Sequence, residues 1–306
     1  MIKPCVIGLG YVGLPILIGL SKKYLSTGFD INKKRINDLN NGKDIFNEVK
    51  KKDFTNKNIK FTHSIKSARN SNLFIVTVPT PIYKNKNPDL GHLKNVCEKL
   101  SKILKHNDII IFESTVYPGV TNNYCIPLLE KNKSSLVEGE DFFVGYSPER
   151  VNPGDKNHNL KKIDKILAYP HKFKKNELVK LYSLVGKKII LSKNIKEAET
   201  AKVIENIQRD VNIGLINEIY LVCKKLKLNF NNIIDLASTK WNFKKFSPGL
   251  VGGHCLPVDP YYFAYISKKN NFNTKITLAG RYINDSMVDT ATNEIIDQIK
   301  KLNIKK

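Results

Sequence analysis

Arginine, paired cysteines and an unbroken apolar span are what this 306-residue chain has least of. Of its 51 basic residues only five are arginine, at Arg35, Arg69, Arg150, Arg209 and Arg281, so the net charge of +23 is carried almost wholly by lysine. Proteins that read bases and phosphates favour the forked guanidinium. The lysines fall instead in scattered pairs such as Lys22-Lys23, Lys51-Lys52 and Lys187-Lys188, with no single basic stripe interleaved with aromatics. A nucleic-acid partner is therefore not expected, although a polyanionic small molecule would feel the favourable field. The cysteines (Cys5, Cys97, Cys125, Cys223, Cys255) are odd in number and far apart, with no CxxC and no metal-ligand spacing. That argues against a disulfide framework and a metal site, and for thiols in a reducing, cytoplasmic setting. Pro4 to Ser21 carries no charge, but four glycines and Pro15 interrupt it. Its length is marginal for a bilayer, so it reads as a buried strand and helix and not as a membrane span or signal.

The length suits one large or two ordinary domains. A hydrophobic share of 41% and a charged share of 26% are those of a soluble globular protein. The first half opens with a short apolar run, then Gly8-Leu9-Gly10-Tyr11-Val12-Gly13, a helix-like apolar segment, a second short run and Asp30. In a strand–turn–helix–strand unit Gly8 permits the tight turn, Gly10 lets a pyrophosphate approach the backbone, and Gly13 lets helix and strand pack closely. The phosphates then rest on the helix N-terminus. Asp30 would accept hydrogen bonds from a ribose diol and repel a 2′-phosphate, which selects NAD over NADP. Tyr11, Val12 and Arg35 complete the expected cofactor contacts around this turn.

Further apolar runs, "NLFIVTVPTP" and "DIIIFESTVYPG", are separated by the helix-like "PDLGHLKNVCEKLSKIL", and "DFFVGYSPER" adds another strand. Unbroken runs of this kind suit strands covered on both faces, hence a parallel sheet with helices on each side. Each run ends in Thr, Ser and Pro, where ligands bind in open α/β sheets, so Thr80, Ser114 and Thr115 are cofactor-site candidates.

The second half reads as helical. From Ile195 to about Leu228, Val203, Ile207, Val211, Leu215 and Ile219 form an apolar stripe, and Lys202, Asn206, Arg209 and Asp210 stand on another face. Lys202 and Asn206 are four apart and point the same way. Downstream, "GLVGGHCLPVDPYY" places Cys255 in irregular backbone, where a structural thiol would not be expected. Gly252 and Gly253 free the backbone to approach a ligand. A reactive thiolate needs nearby positive charge, for which Lys202 and His254 are the candidates, though His254 reads better as a satisfied loop histidine. Asp259 is a carboxylate able to orient a water or take a proton.

In order, "GLGYVGLP", "VTVPTP", "ESTVYPG", "GYSPER", "AKVIENIQRDVNI" and "PGLVGGHCLPVDPYY" resemble the nucleotide-sugar 6-dehydrogenases, the enzymes of UDP-glucose, GDP-mannose and UDP-N-acetylhexosamines. "YSPERVNPGDK" and "STKWNFKKFSPGLVGGHC" look most like the bacterial UDP-N-acetylglucosamine or UDP-N-acetylgalactosamine branch, which serves surface polysaccharide synthesis. The resemblance implies a Rossmann-like NAD-binding domain over 1–192 and a helical central domain over 193–306 that builds a homodimer. It implies oxidation of the sugar C6 alcohol to a carboxylate with two NAD. Cys255 would form a thiohemiacetal and then a thioester, and Lys202 and Asn206 would stabilise the oxyanion. Asp259 with a water, or Lys202, would be the base, with Glu149 and Thr115 handling the hydrolytic water. Glu149, Arg150, Lys202, Asn206, Gly252, Gly253 and Arg281 would touch the sugar nucleotide. Pro257 stands where most of that branch have glycine, and "KILAYPHKFKKNE" replaces a shorter turn. The chain stops at "IKKLNIKK", so the family's C-terminal UDP-binding domain is expected to be absent. The alternative expectation is an NAD-binding, dimerising fragment that needs a separate C-terminal domain or partner chain.

Overall fold

A computed structural model of the chain describes residues 1–131, 135–151, 160–253 and 255–302. Its contacts divide into two compact units, one of residues 1–81 and 89–202, the other of residues 82–88 and 203 onward. The division falls inside a helix, later than the 192/193 boundary expected from the sequence.

The first unit is built on a sheet of eight strands: β1 (Pro4–Ile7), β2 (Ser26–Phe29), β3 (Ile59–Thr62), β4 (Leu73–Val76), β5 (Ile109–Phe112), β6 (Phe143–Tyr146), β7 (Lys165–Ala168) and β8 (Ile189–Ser192). Their order is β3-β2-β1-β4-β5-β6-β7-β8. The first six run parallel, with Cys5 opposite Thr27 and Phe74 and with Ile110 opposite Val144. The sheet is not parallel throughout, because β7 meets β6 antiparallel at Tyr146 and Ala168 before β8 pairs parallel with β7. The fold is nonetheless the α/β, Rossmann-like arrangement that the alternating strands and helices predict.

Helices cover both faces. Helices α1 (Gly13–Ser21), α2 (Lys33–Asn40) and, later in the chain, one over Lys175–Tyr182 bury Leu17, Ile36 and Leu181 against Val6, Ile75 and Ile111. On the other face α3 (Gly91–Leu100) and the short α4 (Ile126–Glu130) set Val96, Leu100 and Leu129 against Phe74, Ile110 and Val144. The Lys175–Tyr182 helix is α5. Alternate strand residues thus feed two apolar layers, as strands buried on both faces must. The uncharged segment from Pro4 to Ser21 is β1 and α1, almost all of it buried. No described helix is long and apolar enough to cross a membrane.

The second unit is helical, with α6 (Ile195–Lys225, its first turns belonging to the first unit), α7 (Phe230–Ser238), α8 (Asp259–Lys269) and α9 (Lys275–Lys301). Helices α6 and α9 approach closely at Gly214 and Gly280, where a Cβ on Gly214 would lie 2.8 Å from the Gly280 carbonyl oxygen. The apolar stripe on α6 is buried only in part: Val203 is fully buried, Ile207, Val211 and Ile219 are half-buried, and a second, polar line is buried beside them. Asn206, Asp210, Gly214 and Asn217 form that line, while Leu215 is 53% exposed. The buried polar stripe exists because α9 brings Arg281 and Asn284 to face it. The segment 82–88 is a tight hairpin in which Tyr83 N–H donates to Asn87 at 2.9 Å and Lys86 takes a left-handed φ of 66°. The Lys86 ammonium lies 5.1 Å from the ring centroid of Tyr261 on α8.

Candidate active site

The glycine turn joins β1 to α1 at the point where the strand order reverses, between β1 and β4. In open α/β sheets a crevice for ligand forms there. Gly8 has φ 92° and donates its N–H to Phe29 at 2.9 Å, a conformation that favours glycine. A Cβ on Gly13 would stand 1.9 Å from the Gly8 carbonyl oxygen, whereas one on Gly10 would meet only open space. The N-terminus of α1 has no side-chain cap, so no side chain competes there with phosphate oxygens. Tyr11 and Val12 sit half-buried on this turn. The Asp30 carboxylate, at the end of β2, accepts from Leu9 N–H at 2.8 Å and from Asn32 N–H at 2.9 Å. These residues fit a dinucleotide with a free ribose diol.

Two residues brace this turn in ways the sequence did not disclose. Thr77, directly after β4, donates its hydroxyl to Gly8 O at 2.7 Å. Arg35, expected at the cofactor, is folded under the turn. Its Nε donates to Leu9 O at 2.9 Å, its Nη2 pairs with Asp44 at 2.8 Å, and the guanidinium stacks 5.0 Å above the Phe46 ring. At the neighbouring strand ends, the Thr80 hydroxyl donates to Thr115 O at 2.5 Å and the Ser114 hydroxyl to Val78 O at 2.6 Å. The structure therefore brings Thr80, Ser114 and Thr115 together at the carboxyl edge of β4 and β5.

Glu149 follows β6 and is buried. Its Oε1 accepts from the Arg150 and Val151 N–H groups at 2.6 and 2.8 Å, and its Oε2 faces Lys165 Nζ at 3.1 Å. Lys165 also pairs with Glu113 at 2.6 Å, and the Tyr182 hydroxyl donates to the other oxygen of Glu113 at 2.9 Å. One ammonium thus serves two buried carboxylates. Burial pushes the Glu113 carboxyl up to about 7; Lys165 opposes this and the nearby Glu149 charge adds to it. For Lys165, desolvation favours the neutral amine, but Glu113 and Glu149 outweigh it and hold the group above the usual lysine value. Glu113, Lys165 and Tyr182 were missed in the sequence because 52 and 69 residues separate the partners. Glu199, on the first turns of α6, was missed too; it accepts from Gly119 and Thr121 N–H at 2.5 and 2.9 Å. Arg150 Nη1 donates to Asp164 O at 3.2 Å.

In the second unit the Asn206 amide donates to Asp259 Oδ2 at 2.6 Å, with both side chains buried. Asp259 opens α8, and its N–H donates to the carbonyl of Cys255 at 2.9 Å. The thiol is therefore carried one turn ahead of a helix N-terminus, and Cys255 is half-buried while the other four cysteines are buried. Gly253 takes φ 89°, which explains one glycine of the pair; Gly252 and Gly249 have open space around them. Lys202 stands four residues before Asn206 on α6 and is 8% exposed. His254 lies outside the described residues. Arg281, expected at the substrate, is 1% exposed; its Nη1 and Nη2 pair with Asp210 and Asp285 and so link α6 to α9. Among the described residues no group of three or more His, Cys, Asp or Glu could hold a metal.

Comparison with known proteins agrees with this geometry. Residues 2–185 match the NAD binding domain of the UDP-glucose/GDP-mannose dehydrogenase family, and residues 196–286 match the central domain of the same family. Protein CapL of Staphylococcus aureus is 44% identical over 97% of this chain and 70% of its own length. A UDP-N-acetyl-D-glucosamine 6-dehydrogenase of Pseudomonas aeruginosa is 43% identical over 99% of this chain and 72% of its own length. The solved structure of a UDP-D-ManNAc dehydrogenase from Pyrococcus horikoshii superposes with a TM-score of 0.89 at 34% identity, covering 99% of this chain and 73% of that one. The chain thus spans about 70% of the length of the curated relatives it matches. With the dinucleotide turn, the strand-end hydroxyls and the presented cysteine all in matching segments, the chain belongs to the UDP-glucose/GDP-mannose dehydrogenase family of NAD-dependent nucleotide-sugar oxidoreductases.

Proposed function

We propose that the chain oxidises the C6 alcohol of a UDP-N-acetylhexosamine to the uronic acid, by way of a covalent intermediate on Cys255, for surface polysaccharide synthesis. The observation that carries this reading is the thiol itself, half-buried at the foot of α8 with the hydrogen-bonded Asn206 and Asp259 beside it in the chain's fold. The names of the 43% identical relatives support the acetylhexosamine.

NAD would supply the hydride acceptor, two molecules binding in turn and each taking one of the two hydrides that leave C6. Gly8 to Gly13 and the α1 N-terminus would hold its pyrophosphate, and Asp30 its ribose diol. Asp259 takes the alcohol proton through a water as the aldehyde forms. The Cys255 thiolate then adds to that aldehyde, and Lys202 and the second amide hydrogen of Asn206 stabilise the oxyanion. Loss of such a donor typically costs about 10²–10³ in rate. After the second hydride has left, the carbonyl is a thioester. Glu149 and Thr115 position the water that hydrolyses it, releasing the carboxylate and restoring the thiol. Covalent capture retains the aldehyde between the two oxidations. Exposed apolar residues on α6 and α9, among them Leu215, Ile276, Tyr282 and Ile295, support self-association as a homodimer.

NADH formation with UDP-N-acetylglucosamine, UDP-N-acetylgalactosamine and UDP-glucose tests the reading. Two NADH per acetylhexosamine are expected, and Cys255→Ser should yield no uronate. Full conversion to the acid by Cys255→Ser would falsify the covalent route.

A further inference from the structure

Residues 250–253 and 255–258 run without regular structure until α8 begins, yet one polar chain, buried except at its last, exposed link, ties down both ends of the segment. At the upstream end, Asn217 on α6 grips the backbone of Gly249 twice. Its amide donates to the Gly249 carbonyl at 3.0 Å and its oxygen accepts the Gly249 N–H at 2.8 Å. The same amide donates to Asn284 Oδ1 on α9 at 2.8 Å. Asn284 Nδ2 in turn donates to the Asp210 carbonyl and carboxylate at 2.8 and 2.9 Å. Asp210 pairs with Arg281, and Arg281 Nη2 donates to Asp285 at 2.9 Å. The other oxygen of Asp285 accepts the Tyr261 hydroxyl at 3.1 Å. Tyr261 stands on α8, two residues beyond Asp259, at the downstream end of the segment.

This is an expensive way to pack two helices. Asn217, Asn284, Asp210 and Arg281 are all at most 1% exposed, and apolar residues of similar volume commonly give equal or greater stability. What an apolar contact cannot do is fix direction, because it has no register, whereas a bidentate amide on one backbone unit does. Asn206, which holds Asp259, lies one turn before Asp210 on the same helix, so the chain frames the thiol and the carboxylate together.

We infer that Asn217 and Tyr261 are positioning residues, the two ends of a clamp that holds the Cys255 segment in register with Asp259. The inference rests on the reading of Cys255 as the nucleophile, and it is tested by measurements that need no turnover. Native-state alkylation by iodoacetamide, with Cys255→Ser as background, reports this thiol because the other four are buried. Amide hydrogen exchange over 250–258 reports the segment directly.

In folded Asn217→Ala protein, exchange over 250–258 should accelerate about 30-fold, the factor expected from the two hydrogen bonds lost to Gly249, while β1 to β5 stay unchanged. Alkylation of Cys255 should rise and its pH profile move, which a loss of overall stability alone would not cause. Tyr261→Phe, which removes a single hydroxyl, should act in the same direction and more weakly. Wild-type exchange and alkylation in folded Asn217→Ala would overturn the clamp. Should that variant not fold, the same null result in Tyr261→Phe overturns it. Complete oxidation by Cys255→Ser would remove the nucleophile and leave the exchange data to judge the clamp by itself.

Discussion

Gly13 is the residue at which the cofactor turn is least forgiving. An alanine methyl there would lie 1.9 Å from a backbone oxygen that cannot move without opening β1. Gly13→Ala should cost about 1–3 kcal/mol of stability, as overpacking does, and should weaken NAD binding sharply; thermal denaturation and a fluorescence titration would measure the two. A second prediction belongs to Glu113, whose carboxyl titrates at about 7 in the fold, against about 4.3 in an unfolded chain. Between those values the folded state holds a proton that the unfolded state has released, so stability falls as pH rises through that window. Lys165 acts elsewhere: its raised value adds stability below the usual lysine range that is lost only at higher pH. Urea denaturation from pH 4.5 to 7.5 should therefore show a declining stability that Glu113→Gln flattens. A shallower slope should remain, because burial pushes the Asp108 carboxyl up to about 6 with the same sign. The two residues also mark what a sequence can disclose. Gly13 belongs to a turn whose spacing is local and chemically specific. Glu113 acquires its meaning only when β7 brings Lys165 and α5 brings Tyr182 to it.

Helix α6 shows the same division at the scale of an element. Its existence and length follow from the 3.6-residue recurrence of apolar residues, but that recurrence did not disclose the polar line of Asn206, Asp210 and Asn217 that is buried as well. Periodicity assumes that the core is apolar; here the interior partner is α9, which presents Arg281 and Asn284. The energetic consequence inverts the usual expectation for substitutions. Asp210→Ala leaves the buried Arg281 with only the exposed carboxylate of Asp285 as partner and should cost about 3 kcal/mol. Gln208→Ala, at an exposed polar position of the same helix, should stay within about 0.5 kcal/mol of wild type. Chemical denaturation of the two variants at one low protein concentration compares them directly, and an equal cost for both would contradict the assignment of faces. Strand β7 is another element that pattern alone did not disclose in direction. A four-residue apolar strand reads the same either way, and its antiparallel pairing with β6 is set by the path of the intervening chain.

Across the whole molecule, a lysine-borne charge of +23 surrounds a protein whose proposed substrate and cofactor each carry a diphosphate. Screening should tell: the association rate for sugar nucleotide should fall as sodium chloride rises from 50 to 500 mM, with dissociation nearly constant. A salt-independent rate in stopped flow would mean that the lysines serve only to keep the protein dissolved. The bipartite plan was legible from the shift between an α/β half and a helical half, but the assignment of residues 82–88 to the helical unit was not. That hairpin has a temporal consequence. Lys86 leaves the ribosome about 175 residues before Tyr261, and at typical elongation rates this is a wait of roughly 10–35 s. During that interval the nascent chain has already completed most of its sheet. The hairpin must therefore remain a solvated outpost of polar residues until the last helices are translated, and the sequence Tyr-Lys-Asn-Lys-Asn is suited to waiting in water without recruiting a wrong neighbour.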